Sequence, residues 1–432
     1  MNTKIKYTLL LILAVSSCRL SVAQSVIDLI KQRPSYASCN YDVYPDSITA
    51  KLTPAPAGKK PFYISHYGRH GSRYISNRSG FDTPYFMMLH ADSLDELTPT
   101  GQQVLRHMNN IMRNTEGRWG ELTGYGKQQM QNIGRRMAER FPEVFHPGAN
   151  VTCISTVVPR CIESMGSLAM EMLQVCPQLH ITMQASKRTQ WYMNYQDKKL
   201  NRQKMDSTIK VVFQDFLQKY DKSELLIEKL FNDMAYAKKQ VDARELTSAL
   251  FKLASNLQST ELRRKITLYD LFSDEEVYGY WKINNAWWYI NFGGYTLNGS
   301  KQPYSQRMLL RRIIQEADSC IQMERPGATL RFGHDTMVLP LTCLLELDGY
   351  GLQTDNLESL ERKGWLNYKI FPMGANVQFV FYRKDLQDKD VLVKVLLNEN
   401  EVSLPVRSNT EPYYKWSDVR DYYLRKLDAY QN

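Results

Sequence analysis

The stretch PFYISHYGRHGSR, residues 61–73, decides the fold. Pro61 to His66 is an almost continuous apolar run, and it passes straight into a polar turn built on Gly68, Arg69, His70 and Gly71. A run of this kind, bounded by turn residues, suits a strand buried on both faces within a parallel sheet. Two further segments repeat the pattern. VTCIST, residues 151–156, runs into Val157-Val158-Pro159-Arg160, and ATLRF, residues 328–332, runs into Gly333-His334-Asp335. Ligands of open parallel sheets bind outside the carboxyl ends of the strands, so these three polar ends are where chemistry is expected.

Helical patterns separate the strands. Met130, Ile133, Met137 and Phe141 recur at helical spacing up to Pro142, and residues 162–173 read as a helix directly after Arg160. Strand and helix in alternation predict an α/β core, a mostly parallel sheet covered by helices on both faces. Residues 186–280 differ. Ile209, Val212, Phe213, Phe216 and Leu217 form one helical stripe, and Leu246, Leu250, Phe251, Leu253 and Leu257 form another, with no convincing strand between. The expected organisation is a core over residues 24–185 and 281–432, interrupted by a smaller all-helical insertion over 186–280. Late in the chain, residues 376–382 and 391–397 read as two strands joined by the acidic turn DLQDKD, and 417–427 as a closing helix.

The first 23 residues read as an export signal. Lys4 and Lys6 precede a short apolar run from Tyr7 to Val15, and Ser21-Val22-Ala23 offers a small-x-small cleavage site. Val15-Ser16-Ser17-Cys18 gives the competing reading of a lipid anchor on Cys18. Cleavage after Ala23 is the preferred reading and gives a periplasmic or secreted protein; the alternative is a protein lipid-anchored through Cys18. No run of 18 apolar residues occurs further along, so no internal membrane span is expected. The chain of 432 residues carries a net charge of +10, and +7 once residues 1–23 are removed. That field favours an anionic partner. Six cysteines remain after cleavage, at 39, 153, 161, 176, 320 and 343, in no zinc-like spacing. No metal, no cofactor and no nucleic acid are expected, and a monomer is.

Two guanidiniums, Arg69 and Arg73, flank the imidazole of His70. Arginine's planar fork binds two phosphate oxygens at once. Like charge disfavours the imidazolium, so His70 is expected to be neutral and nucleophilic in mild acid. Attack by its nitrogen on phosphorus would split ester hydrolysis into two easier steps through a phosphohistidine. His334 is placed to donate to the same phosphate, and Asp335 to deliver a proton to the leaving oxygen. A His-Asp pair by itself is most often a turn. On a matching strand end it gains weight.

These residues resemble the histidine phosphatase superfamily, in its acid phosphatase and phytase branch. The R-H-G-x-R motif matches at Arg69, His70, Gly71 and Arg73, and the H-D motif at His334 and Asp335. Leu122, Thr123, Gly126 and Gln129 look like that branch's L-T-x-x-G-x-x-Q segment, and Arg160 sits where a third phosphate-binding arginine is expected. The resemblance implies His70 as nucleophile, Arg69, Arg73, Arg160 and His334 as phosphate ligands, and Asp335 as proton donor. FGHDTMVLPL and LNGSKQP look most like multiple inositol polyphosphate phosphatases. Those usually carry His-Ala-Glu where this chain has His334-Asp335-Thr336, and phytases usually have Asn where Met337 stands.

Lys187, Arg188, Lys198, Lys199, Arg202 and Lys204 cluster at the start of the insertion. They would bind further phosphates of a polyanion such as inositol hexakisphosphate if that segment overhangs the site; a solvated basic face explains them equally well. The run Asn284-Asn285-Ala286-Trp287-Trp288-Tyr289 reads as core more readily than as a pocket wall. The rival functions are a broad or sugar-phosphate acid phosphatase, a phosphoryl mutase on the same fold, and an exported anion-binding protein without turnover.

Overall fold

The computed structural model describes residues 25–430, so the export segment and Cys18 lie outside the described residues. Ten strands occur among the described residues: β1 Lys60–Arg69, β2 Asn150–Ser155, β3 His180–Ala185, β4 Gly294–Tyr295, β5 Gly327–Gly333, β6 Gln353–Thr354, β7 Asn376–Arg383, β8 Leu392–Leu397, β9 Asn400–Glu401 and β10 Tyr414–Lys415. Eight of them form one sheet in the order β10-β8-β7-β1-β5-β2-β3, with β9 on β8, and β4 pairs separately with β6. The neighbours β1, β5, β2 and β3 run parallel. β7 turns the direction, pairing antiparallel with β1 and with β8.

Side chains alternate across the sheet and feed two separate cores. Tyr63, Tyr67, Val377, Phe379 and Phe381 enter one, and Ile64, Val151, Leu330, Phe332 and Val380 enter the other. The second core is closed by helices Gly124–Arg140 and Pro159–Val175 through Met130, Ile133, Met137, Met165 and Leu168. The first is closed by helices that include Ser79–Ser93, Pro99–Thr115, Asp274–Phe292 and Arg307–Ile321. The helices between residues 190 and 257 bury Ile209, Phe213, Leu246, Leu250 and Phe251 in that same cluster. No strand occurs among residues 186–280.

Two boundaries near the strand ends and one strand differ from the sequence reading in ways that bear on the site. β1 continues to Arg69, because Gly68 still pairs with β5 and β7 and Arg69 with β5. The helix expected after Arg160 starts at Pro159, whose fixed φ and missing N–H suit a first helical position. β3 escaped the pattern because it is an edge strand, largely exposed, with no apolar run to mark it. The six cysteines of the described residues are unpaired. Among the described residues no helix is long and apolar enough to cross a membrane. No group of three or more His, Cys, Asp or Glu is placed there to hold a metal ion.

Candidate active site

The carboxyl ends of β1, β5 and β2 lie side by side, with Arg69 level with Gly333 and Ser155 level with Phe332. His70 follows β1, His334 and Asp335 follow β5, and Arg160 sits in the first turn of the helix after β2. The structure therefore brings Arg69, His70, Arg73, Arg160, His334 and Asp335 into one crevice.

His70 is buried, and its ring lies 5.9 Å from that of His334, centroid to centroid. Its Nδ1 is 2.8 Å from the Gly71 carbonyl, which only accepts, so Nδ1 carries the proton and Nε2 the free lone pair. Burial, then the charges of Arg69, Arg160 and Arg73, hold His70 well below the ordinary imidazole range. His334 is pushed down to about 4, by burial first and by the arginines against the pull of Asp335. Its Nε2 meets the Thr156 hydroxyl at 3.3 Å.

Arg69 is fully buried. Its Nη1 donates to the carbonyls of Asn40 at 2.6 Å and Phe371 at 2.9 Å, and its Nη2 is ion-paired with Asp335 at 2.9 Å. Nε and Nη2 make no hydrogen bond, and neither do Nε of Arg73 nor Nε of Arg160, all buried. Burial, partly countered by Asp335, lowers the Arg69 guanidinium to about 10. Arg160 is likewise lowered, by burial and then by Arg73. Arg73 stacks over the Tyr41 ring at 5.1 Å. Burial opposes ionisation of Tyr41, yet Arg73 and Lys252 pull its hydroxyl below its usual range.

Asp335, expected as the proton donor, sits against Arg69. Burial raises its carboxyl, but Arg69 and a hydrogen bond from the Asn40 amide outweigh it and hold it at about 2. The free protein therefore carries a carboxylate there in mild acid.

The turn that holds His70 is set by the segment Leu122–Gln129. Thr123 Oγ1 caps its helix by accepting from the Gly126 N–H, and Thr123 donates twice to the Ser72 carbonyl. Gln129 Oε1 accepts from the Ser72 N–H at 2.9 Å, and Ser164 Oγ from the Gly71 N–H at 3.1 Å. Gly71 packs closely within this turn. Its bare face is turned to Gly126, where a Cβ would lie 2.4 Å from the Gly126 carbonyl.

Lys187 and Arg188 leave β3, two strands beyond β5, and with Lys198, Lys199 and Arg202 they are exposed. Lys204 instead lies against the Phe292 ring, 3.9 Å from its centroid. Asn284 to Tyr289 belong to the helix Asp274–Phe292, and Ala286, Trp288 and Tyr289 are core. Asn40, Tyr41, Thr156, Ser164 and Lys252 were missed; Thr123, Gly126 and Gln129 lay within a motif already singled out.

Residues 68–398 match the family described as Histidine phosphatase superfamily (branch 2). Multiple inositol polyphosphate phosphatase 1 of Gallus gallus is 23% identical over 321 residues, covering 70% of this chain and 68% of that protein. Its Homo sapiens counterpart is 23% identical over 344 residues, covering 72% and 67%. Among solved structures, the Bifidobacterium longum multiple inositol polyphosphate phosphatase in complex with phosphate superposes with a TM-score of 0.78 at 18% identity, covering 91% of this chain and 98% of that one. The phytase from D. castellii gives 0.70 at 14%, covering 95% and 89%. With the motifs, their convergence at three strand ends and a family match over most of its length, the chain belongs to branch 2 of the histidine phosphatase superfamily.

Proposed function

We propose that the protein is an exported acid phosphatase that hydrolyses phosphate monoesters through a phosphohistidine on His70, with inositol polyphosphates such as phytate as its substrates. One observation carries the reading: buried guanidinium N–H groups of Arg69, Arg73 and Arg160 without hydrogen bonds surround a neutral imidazole. An uncompensated set of buried donors is costly, and a phosphoryl group's oxygens satisfy it.

Nε2 of His70 attacks phosphorus, the P–O ester bond breaks, and the leaving oxygen takes a proton from Asp335. Water then attacks the P–N bond, gives its proton to the Asp335 carboxylate, and releases inorganic phosphate. The three arginines and His334 stabilise the charge on the equatorial oxygens in both steps. Asp335 starts as a carboxylate at about 2. A bound phosphate adds negative charge beside it and engages Arg69, and both effects raise its affinity for a proton.

The net charge supports a polyanionic substrate. So does Lys252, a cation from the insertion that acts on Tyr41 at the wall of the crevice. The exported location rests on the composition of residues 1–23. Phosphate release from p-nitrophenyl phosphate and from phytate at pH 4–6, with His70→Ala as control, tests the reading. Release from the simple ester alone would favour a broad acid phosphatase, and phosphate binding without release from any ester a binding protein.

A further inference from the structure

The segment Pro34–Tyr41 crosses beside the crevice as 3-10 turns, and Asn40 touches two functional groups from it. Its side-chain amide donates to Oδ2 of Asp335 at 3.0 Å, and its carbonyl accepts from Nη1 of Arg69 at 2.6 Å. Oδ2 also receives the Arg69 ion pair at 2.9 Å. Oδ1 has a single donor, the Thr336 N–H at 2.9 Å. Oδ2 thus carries the Asn40 hydrogen bond and faces the Arg69 cation, which leaves Oδ1, away from that charge, as the oxygen more free to carry a proton.

We propose that Asn40 is a positioning residue for the proton donor: its amide occupies Oδ2 of Asp335, so that the proton passed to the leaving oxygen is carried on Oδ1. The proposal rests on the phosphatase reading above. It adds a residue that no motif marks.

Asn40 is itself held from behind. Cys39, just before it, has φ 55° and ψ −111°, a sparsely populated backbone conformation for a residue with a side chain. Its Sγ accepts from Asn367 Nδ2 at 2.9 Å. Asn367 Oδ1 accepts from the Trp281 indole at 3.1 Å, and the Asn367 N–H donates to Asn285 Oδ1 at 2.9 Å. On the other side, Gln258 donates to the Tyr41 carbonyl at 3.1 Å. The polar residues of the helix Asp274–Phe292 thus fix the strap on which Asn40 sits. The charged and titratable groups acting on Asp335 are Arg69 from β1, Arg73 from the turn, Arg160 and Cys161 from the helix after β2, His334 beside it and Tyr67 beneath. Arg69 is first among the attractive influences and the Asn40 amide second, so losing the amide has to move the proton affinity upward.

The test compares the wild type, Asn40→Ala and Asn40→Asp in two assays. The first follows the Asp335 carboxyl by 13C NMR in aspartate-labelled protein from pH 6 to 3, its signal assigned by loss in Asp335→Asn. The wild-type signal stays ionised across that window, whereas in Asn40→Ala it begins to protonate within it, a shift of about one pH unit. The second is phosphate release from phytate and p-nitrophenyl phosphate. Asn40→Ala lowers turnover of the poor leaving group about tenfold more than that of the good one. Asn40→Asp keeps the shape and guards against misfolding of the alanine variant. Its new carboxyl still donates when protonated and repels Asp335 when ionised, so this variant loses activity steeply above pH 5 relative to the wild type. An Asp335 titration unmoved in Asn40→Ala, or equal losses on both esters with an unchanged pH profile, overturns the proposal. A shifted titration in a protein that releases no phosphate overturns only the phosphatase reading.

Discussion

Gly126→Ala is a one-carbon change that touches no reacting atom, and it is predicted to disable the site. The added Cβ would lie 2.1 Å from the Ser72 carbonyl oxygen and 2.8 Å from the Ser72 nitrogen. An ordinary C···O contact is about 3.3 Å, so the Ser72 backbone has to retreat by about 1.2 Å. Both Ser72 atoms are already committed: the carbonyl accepts twice from Thr123, and the N–H donates to Gln129. Retreat therefore pulls His70 and Arg73, two and one residues away, out of register with Arg160 and His334. A misplacement of 1 Å in a catalytic constellation costs roughly 100-fold in rate, and overpacking of this kind typically costs about 1–3 kcal/mol in stability. The assay is kcat/KM on p-nitrophenyl phosphate, with the melting temperature measured alongside. Gly124→Ala, at the start of the same helix and with nothing within 4 Å of its Cβ, is the control and should behave as wild type. Wild-type kcat/KM in Gly126→Ala would refute the claim that this segment sets the geometry of the His70 turn. So would equal losses in the two variants.

Arg160→Ala should raise KM for phosphate esters about tenfold or more, because a hydrogen bond to a charged group is worth about 1.5–3 kcal/mol. The melting temperature should not fall, since Arg160 is repelled by Arg73 and its one described hydrogen bond, to the Gly120 carbonyl, is 3.5 Å long. A melting temperature several degrees lower would refute this. Asp335→Asn should slow phytate more than p-nitrophenyl phosphate, and equal slowing would remove Asp335 as the proton donor. His66 and His334 are held at about 3 and about 4 when folded, against 6.5 when unfolded. The unfolded chain binds more protons below pH 6.5, so their contribution is complete above that value and is lost as pH falls toward 4. Urea unfolding between pH 7 and 4 should show this loss, with a shallower slope in His66→Gln; equal slopes would contradict it.

Some of this site is written in short stretches of sequence, and some is not. Arg69, His70 and Arg73 lie within five residues, His334 and Asp335 are adjacent, and each group follows an apolar run that marks a buried strand. Arg160 was harder, as one arginine after one proline; its place beside Arg73 depends on β2 pairing with β5. Asn40, Thr156 and Ser164 were invisible because each is a single polar residue whose role is created by tertiary packing. Asn40 lies 295 positions from the carboxylate it holds. The basic residues Lys187, Arg188, Lys198, Lys199 and Arg202 are exposed, and density of charge along the chain does not say which face they occupy. The charge state of Asp335 likewise depends on Arg69 and Asn40, which only the fold brings to it.

The proposed hydrolysis turns on His70 Nε2 as the atom that forms the bond to phosphorus. The most direct measurement is to mix the protein with phosphate ester labelled in its phosphoryl group, quench in alkali within milliseconds, and map the label by peptide sequencing and 31P NMR. The expected product is an alkali-stable, acid-labile phosphoryl group on Nε2 of His70, absent in His70→Ala, because Nδ1 is committed to the Gly71 carbonyl. Label on Nδ1 would contradict the assignment of Nε2, and label on another residue, or phosphate release that survives His70→Ala, would contradict the assignment of His70 as nucleophile.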